Sequence, residues 1–261
     1  MTTDVRPAAV DAEALRCQIS DKYTEVAKTP EKGFHFHTGK PLALMLGYPE
    51  EVVDSLPAGT VDSFAGMGNP FSMGDLRFGE TVLDIGCGAG FDSFIASGQV
   101  GESGRVISID MTPAMLEKAA AGAREAGLAN IEFREGLAES LAVADGSIDV
   151  VISNGVINLA SEKRKVFKEA ARILKPSGRL AISDIVTEVQ LPDGITCDTT
   201  LWAACIGGAM QQDSYRSAIE AAGLRVEIIQ DNPQYQFISK NAIGASKKFG
   251  VKSVSLLAVK A

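Results

Sequence analysis

The stretch Glu80-Thr81-Val82-Leu83-Asp84-Ile85-Gly86-Cys87-Gly88-Ala89-Gly90-Phe91-Asp92 constrains this chain more than any other. Its apolar, β-branched opening reads as a buried strand, and the three alternating glycines read as a tight turn under a helix N-terminus. Glycine is needed where the backbone takes positive φ or lets a ligand approach through the space of a Cβ. Strand, turn and helix N-terminus together describe a nucleotide cradle. The spacing narrows its kind. Dinucleotide loops place the third glycine five residues after the first, whereas Gly86 and Gly90 are four apart. No lysine follows in the Walker arrangement, which argues against a P-loop.

A second strand, Arg105–Ile109, runs into Asp110. An acid at that tip is placed to accept both hydroxyls of an adenosine ribose. A glycine-rich turn can also serve only as a tight corner, but the acid at the right distance argues against that reading. The alternation then continues, with strands expected at 131–134, 148–153 and 179–184 and helices near 91–98, 113–126 and 162–174. Thr112 followed by Pro113 reads as an N-cap and first helical residue. The class is therefore α/β, with a doubly wound, Rossmann-like sheet.

Upstream, helices are expected over about 10–27, 42–46 and 49–56. Lys32 to Pro41 holds the only two histidines, His35 and His37. An H-x-H pair on an extended segment puts both rings on one side, as a metal would need; without further ligands nearby, a loop packing Phe34 and Phe36 is the better expectation. Residues 1–75 read as an N-terminal cap and substrate-side segment, and 76–261 as the core. Within the core, 185–212 is a substrate-side lid inserted after the fifth strand, with a helix at 198–210. A helix at 213–222, a strand at 225–229, an irregular stretch through Lys248 and a strand at 253–259 complete the chain.

Charge and cysteine usage limit the partners. A formal charge of −8 and a pI near 4.9 argue against a polyanion, because nucleic-acid binding relies on Lys and Arg neutralising phosphates. Four cysteines without C-x-x-C spacing, no leader-like apolar core at the start and no run of membrane-spanning length point to a cytoplasmic protein with reduced thiols. Its partner is expected to be a small molecule, and the protein a monomer or weak homodimer.

The glycine loop and the second-strand acid resemble those of the class I S-adenosylmethionine-dependent methyltransferases. That resemblance implies a seven-stranded sheet with the last strand antiparallel, and S-adenosyl-L-methionine as cofactor. It assigns the methionine portion to Asp84, Gly86, Cys87 and Gly88 and the ribose to Asp110. Met111 would lie on one adenine face and Leu137 with Ala138 on the other, and Asn154 at the fourth-strand tip would orient the methionine amino group or the acceptor.

Longer runs are similar to the arsenite methyltransferases: Asp84 to Asp92, Ile109-Asp110-Met111-Thr112-Pro113, Ser153-Asn154-Gly155-Val156-Ile157-Asn158-Leu159, Arg179 to Asp184, Gly66-Met67-Gly68-Asn69-Pro70 and Cys205-Ile206-Gly207-Gly208-Ala209-Met210. Members that methylate arsenic hold it with thiolates. By motif matching they carry cysteine where this chain has Met67 and Gly155, and some carry another near His35; Cys205 alone stands at a matching thiol position. Soft, trivalent arsenic needs two or three sulfur donors. The expectation is methyl transfer to a small molecule other than arsenite, with Tyr23, Asn154 and Cys205 as candidate catalytic residues and Asp184, Tyr23 or a histidine as candidate base. An arsenite methyltransferase with a rebuilt thiol site and a non-catalytic S-adenosylmethionine-binding protein are the alternatives.

Overall fold

A computed structural model describes residues 11–196, Trp202 and 206–261. Eight strands form one sheet: β1 (Thr81–Ile85), β2 (Arg105–Asp110), β3 (Ile131–Glu135), β4 (Ile148–Asn154), β5 (Leu174–Thr187), β6 (Met210–Gln211), β7 (Leu224–Asp231) and β8 (Lys252–Lys260). The order is β3-β2-β1-β4-β5-β8-β7, with β6 pairing β5 to one side. β1 to β5 are parallel, and β8 is antiparallel to both β5 and β7. The seven expected strands are all present; β6 is a two-residue addition too short to leave a sequence pattern.

Order reversal on either side of β1 and β4 opens a crevice at their carboxyl ends, the ligand position in such sheets. β1 and β4 read as near-continuous apolar runs because both faces are covered. Val82, Leu83, Val150 and Val151 have no exposed surface. One face packs against α5 (Phe91–Val100) and α6 (Pro113–Glu125), the other against α7 (Lys163–Ile173) and the helix Gln212–Glu220.

Ahead of the sheet lie α1 (Ala12–Lys28), α2 (Gly39–Met45), α3 (Glu50–Asp54) and α4 (Ala58–Asp62). Asp11 caps α1 by accepting from the amides of Glu13 and Ala14 at 3.0 and 3.2 Å, satisfying two of its orphan donors. Its Leu15, Ile19 and Val26 turn inward at helical spacing. Lys118 on α6 holds the far end of α1, donating to the Ala27 carbonyl at 2.9 Å and to Ser63 Oγ at 2.8 Å.

Three expectations are corrected. Thr112 occupies the N-cap position of α6 but its side chain makes no capping bond; its amide instead donates to Asp110 Oδ1 at 2.8 Å. The stretch before β8 is not irregular, since Lys240–Phe249 is a helix capped by Ser239. Of the helix expected at 198–210, residues 198–201 and 203–205 lie outside the described residues, and its expected end is corrected: 206–209 is a turn and Met210 opens β6.

Candidate functional site

A cleft of about 1100 Å³, its mouth open to solvent included, lies at the carboxyl ends of β1, β2 and β4. Its floor is the glycine turn. Gly86 takes φ +74°, and a Cβ there would meet Val156 Cγ2 at 2.3 Å, so both conformation and space require glycine. Gly86 and Cys87 amides donate to the Ile109 carbonyl at 2.7 and 3.0 Å, which ties the turn to β2.

Asp110 joins the turn to the start of α6. Its Oδ2 accepts from the Gly88 amide at 2.9 Å and its Oδ1 from Thr112. The Thr112 side chain and the Met111 amide also act on this carboxylate, which faces the cavity. Burial raises its pKa, against the lowering effect of those amides. Beneath the turn, Asp84 accepts from Ser93 Oγ at 2.6 Å; burial, then repulsion from Asp92, pushes it up to about 8. Cys87 is buried with its thiol pKa raised well above normal, first by desolvation and then by Asp110 and Asp84, so it stays a thiol.

Asn154 is a hub. Its Oδ1 accepts from the amides of Met67 and Gly68 at 2.7 and 3.1 Å. Its Nδ2 donates to the Gly68 carbonyl at 2.9 Å, to Asp92 Oδ2 at 3.0 Å and lies 3.2 Å from the Tyr48 hydroxyl. The carboxamide is thus occupied by the protein, and its geometry fits positioning the 66–70 loop rather than orienting a bound molecule. Tyr48 completes the group, donating to Asp92 Oδ1 at 2.6 Å. Burial pushes Asp92 up to about 6, offset by these two bonds.

Tyr23, Met111, Leu137 and Ala138 all line the cavity, as does the glycine turn. Tyr23 stacks on Phe36 with centroids 6.1 Å apart. Cys205 lies outside the described residues. His35 meets the edge of Phe36, while His37 Nε2 contacts the Gln236 carbonyl at 2.8 Å; the two rings serve different neighbours, because Phe34 and Phe36 stack at 5.4 Å and fix the segment. Asp184 is away from the cavity lining, which removes it as a base acting there. It accepts from the Tyr215 hydroxyl at 2.8 Å, and burial pushes it up to about 6.

Sequence reasoning missed Tyr48, Asp92 and Arg16. Asp92 was visible in the glycine motif without a role, and Tyr48 lies 44 residues from it in the chain. Arg16 reaches across from α1 to Glu139, 3.5 Å away, beside Ala138. Met67 is 1% exposed, and a Cβ on Gly155, whose φ is +76°, would meet its Cγ at 2.8 Å. The two positions at which the motif resemblance implies cysteine in arsenic-binding members are therefore in contact, and Met67 fills the space that Gly155 leaves.

Residues 76–223 match the family model described as a methyltransferase domain. The arsenite methyltransferase of Halobacterium salinarum is 44% identical over 195 residues, 74% of this chain and 50% of that protein. The human arsenite methyltransferase is 40% identical over 138 residues, 49% of this chain and 37% of that protein. This chain thus spans half or less of the length of these relatives. The crystal structure of an arsenic(III) S-adenosylmethionine methyltransferase from Chlamydomonas reinhardtii superposes with a TM-score of 0.64 at 30% identity, covering 84% of this chain and 72% of that one. A Streptomyces coelicolor geranyl diphosphate C-methyltransferase superposes at 0.67 with 17% identity, over 95% of this chain and 98% of that one, a likeness of fold alone.

Proposed function

The chain belongs to the methyltransferase-domain family, and from that premise we propose that it transfers the methyl group of S-adenosylmethionine to a small organic acceptor. The cavity fits that cofactor. Gly86 and Gly88 take φ +74° and +52° and leave room where side chains would intrude. Asp110 stands at the cavity wall where a ribose would lie, and Met111, Leu137 and Ala138 supply apolar walls for a purine. Bound there, the cofactor would supply an electrophilic methyl group on a sulfonium.

The chain's own part is placement and exclusion of water, which carry much of the catalysis in an in-line displacement. The glycine turn and Asp110 hold one reactant. The loop 66–70, fixed by Asn154, Tyr48 and Asp92, and α1, with Leu15, Ile19 and Tyr23 on the cavity side, wall the other. Tyr23 lines the same cavity. The described residues within 1–75 and 185–212 are read as covers over the carboxyl ends of the strands.

One observation carries the choice of acceptor: the Met67 thioether packs at Gly155, where a soft metalloid would need two thiolates. A second reading, arsenite methylation through a rebuilt thiol site, is favoured by the names of the relatives. Arsenite turnover with glutathione separates the two. Robust methylation by the native chain, lost in Cys205→Ser, would establish the second reading. Turnover appearing only in the Met67→Cys/Gly155→Cys double variant would support the first. The double change is required because a soft metalloid needs both thiolates; Met67→Cys keeps an atom at the γ position, which must turn away from residue 155 to admit a side chain there, and the left-handed backbone costs about 1–2 kcal/mol besides.

A further inference from the structure

Lys163 is a buried cation outside the cavity lining. It is 6% exposed, although lysine is almost never buried without a partner. It also opens α7, whose first turn holds no acid, and a cation at a helix N-terminus opposes the helix dipole. Burial lowers its pKa to about 8, against the raising charges of Asp184 and Glu139, which act through space rather than by hydrogen bonds. Desolvation and the dipole thus both stand against an ammonium here, and an apolar side chain of similar length would avoid both.

The contacts of the ammonium supply its reason. It donates to the Ala160 carbonyl at 2.9 Å and lies 4.5 Å from the centroid of the Trp202 ring. Trp202, the one tryptophan of the chain, is 2% exposed. Its Nε1 donates to the Thr196 carbonyl at 2.7 Å. Gly207 and Gly208 close on the indole: a Cβ at 207 would meet Trp202 Cδ1 at 2.3 Å, and one at 208 would meet Cε3 at 2.9 Å and the Asn158 carbonyl at 1.9 Å. The indole therefore gathers the chain before and after it, and sets the segment that follows β5 against the turn 158–161. Leu159, Ala160 and Ser161 of that turn line the cavity.

We propose that Lys163 is a positioning residue: its ammonium clasps Trp202 and so seats the segment after β5 on the turn that walls the cavity. The clasp extends the reading of that segment as a cover, and it involves no cofactor atom. Ala160 is the joint, its carbonyl held by the ammonium while the residue lines the cavity. The charged and titratable groups around the clasp lie on several elements. Asp184 on β5 accepts from the Tyr215 hydroxyl at 2.8 Å. Glu139 stands between Arg16 and Ser161, each 3.5 Å away. On α7 and its cap, Lys165 pairs with Glu162 at 2.6 Å, and Arg164 follows Lys163 directly. Asp184, pushed by burial up to about 6, ionises below the range in which Lys163 loses its proton, and burial holds Tyr215 well above its ordinary value. Raising the pH through about 8 therefore removes the cation and loosens the clasp.

The test is acrylamide quenching of tryptophan fluorescence in the intact chain, which reads Trp202 alone. A desolvated cation–π contact biases such a seat about thirtyfold. In Lys163→Met the exposed fraction of Trp202 is accordingly expected to rise about tenfold or more. In the native chain the quenching constant should climb between about pH 7 and about pH 9.5 as the ammonium is lost. Lys163→Arg, whose guanidinium stacks on aromatic faces and stays charged, should keep the indole shielded and abolish the climb. Affinity for S-adenosylhomocysteine, measured by calorimetry, should stay within about threefold of native in Lys163→Met, because the clasp lies outside the cofactor's walls. A native profile flat across that pH range would overturn the proposal, and needs no variant to fold. So would native-like quenching in Lys163→Met, or a climb that persists in Lys163→Arg. Exposed Trp202 together with a collapse of S-adenosylhomocysteine affinity in Lys163→Met would show a general loss of structure and overturn the positioning role. Failure of S-adenosylhomocysteine to bind the native chain would overturn the cofactor reading, while the pH climb and its removal by arginine would still establish the clasp.

Discussion

Replacing Asn154 by alanine removes five contacts at once. Two are from the amides of Met67 and Gly68 to Oδ1; three are from Nδ2 to the Gly68 carbonyl, Asp92 and the Tyr48 oxygen. A neutral hydrogen bond contributes about 1 kcal/mol net, and one to a carboxylate about 1.5–3 kcal/mol. The full set therefore bounds the loss at roughly 5–7 kcal/mol. Two effects reduce it. Water enters a half-buried site and takes over some backbone partners, and bonds in one network are not additive. An expected cost of about 2–3 kcal/mol remains, a large share of the stability of a typical domain but not all of it. Urea unfolding measures it as a lower midpoint at unchanged slope. Because the lost partners anchor the loop 66–70, limited proteolysis should cut the variant there before the sheet opens. A loss under about 1 kcal/mol, with the loop still protected, would refute the view that Asn154 fixes this loop.

Asp110→Ala should lower affinity for S-adenosylhomocysteine about a hundredfold, roughly 2–3 kcal/mol, by removing the ribose acceptor; unchanged calorimetric affinity would sink that assignment. Stability of the ligand-free protein should fall as pH rises from about 4 to about 8. Burial pushes Asp84, Asp92 and Asp184 up to about 8, 6 and 6, against about 3.9 for a free aspartate. In that window the native state holds more protons than the unfolded chain, so raising the pH favours unfolding. Lys163, lowered by burial to about 8, acts oppositely only above that pH. Thermal unfolding across the range checks this, and Asp84→Asn should flatten the upper part of the decline.

Legibility in the sequence followed the distance between interacting residues. The strands and the glycine turn were readable because each is a local pattern, and Asp110 because its spacing from the turn is set by one helix and one strand. The helix Lys240–Phe249 was readable in principle. Ala242, Ala245 and Phe249 fall on one buried face behind the Ser239 cap, but Gly244 and the flanking polar residues masked the period. The Tyr48–Asp92–Asn154 group was not readable, because its members lie on three elements brought together only when α2 and the 66–70 loop fold over the sheet. The role given to Asn154 shows the same limit. Its place at the β4 tip followed from the pattern, whereas the occupation of its amide by the chain's own backbone depends on where a loop 86 residues away settles.

The strand order has a consequence for how the protein is made. β8 lies between β5 and β7 although both precede it in the chain, so during synthesis the outer edge of β5 waits for its neighbour. At ~5–20 residues per second, the segment from Thr187 to Lys252 takes several seconds to emerge. Throughout, the apolar run Leu180 to Val186 presents unpaired amides and carbonyls, a template for the same strand of another chain. β8 then pairs with both waiting edges in one movement, its Ser255 meeting Ser183 on one side and Gln230 on the other. It works as a keystone. A chain interrupted before Lys252 keeps every residue that lines the cavity, yet its expected fate is association with its own copies.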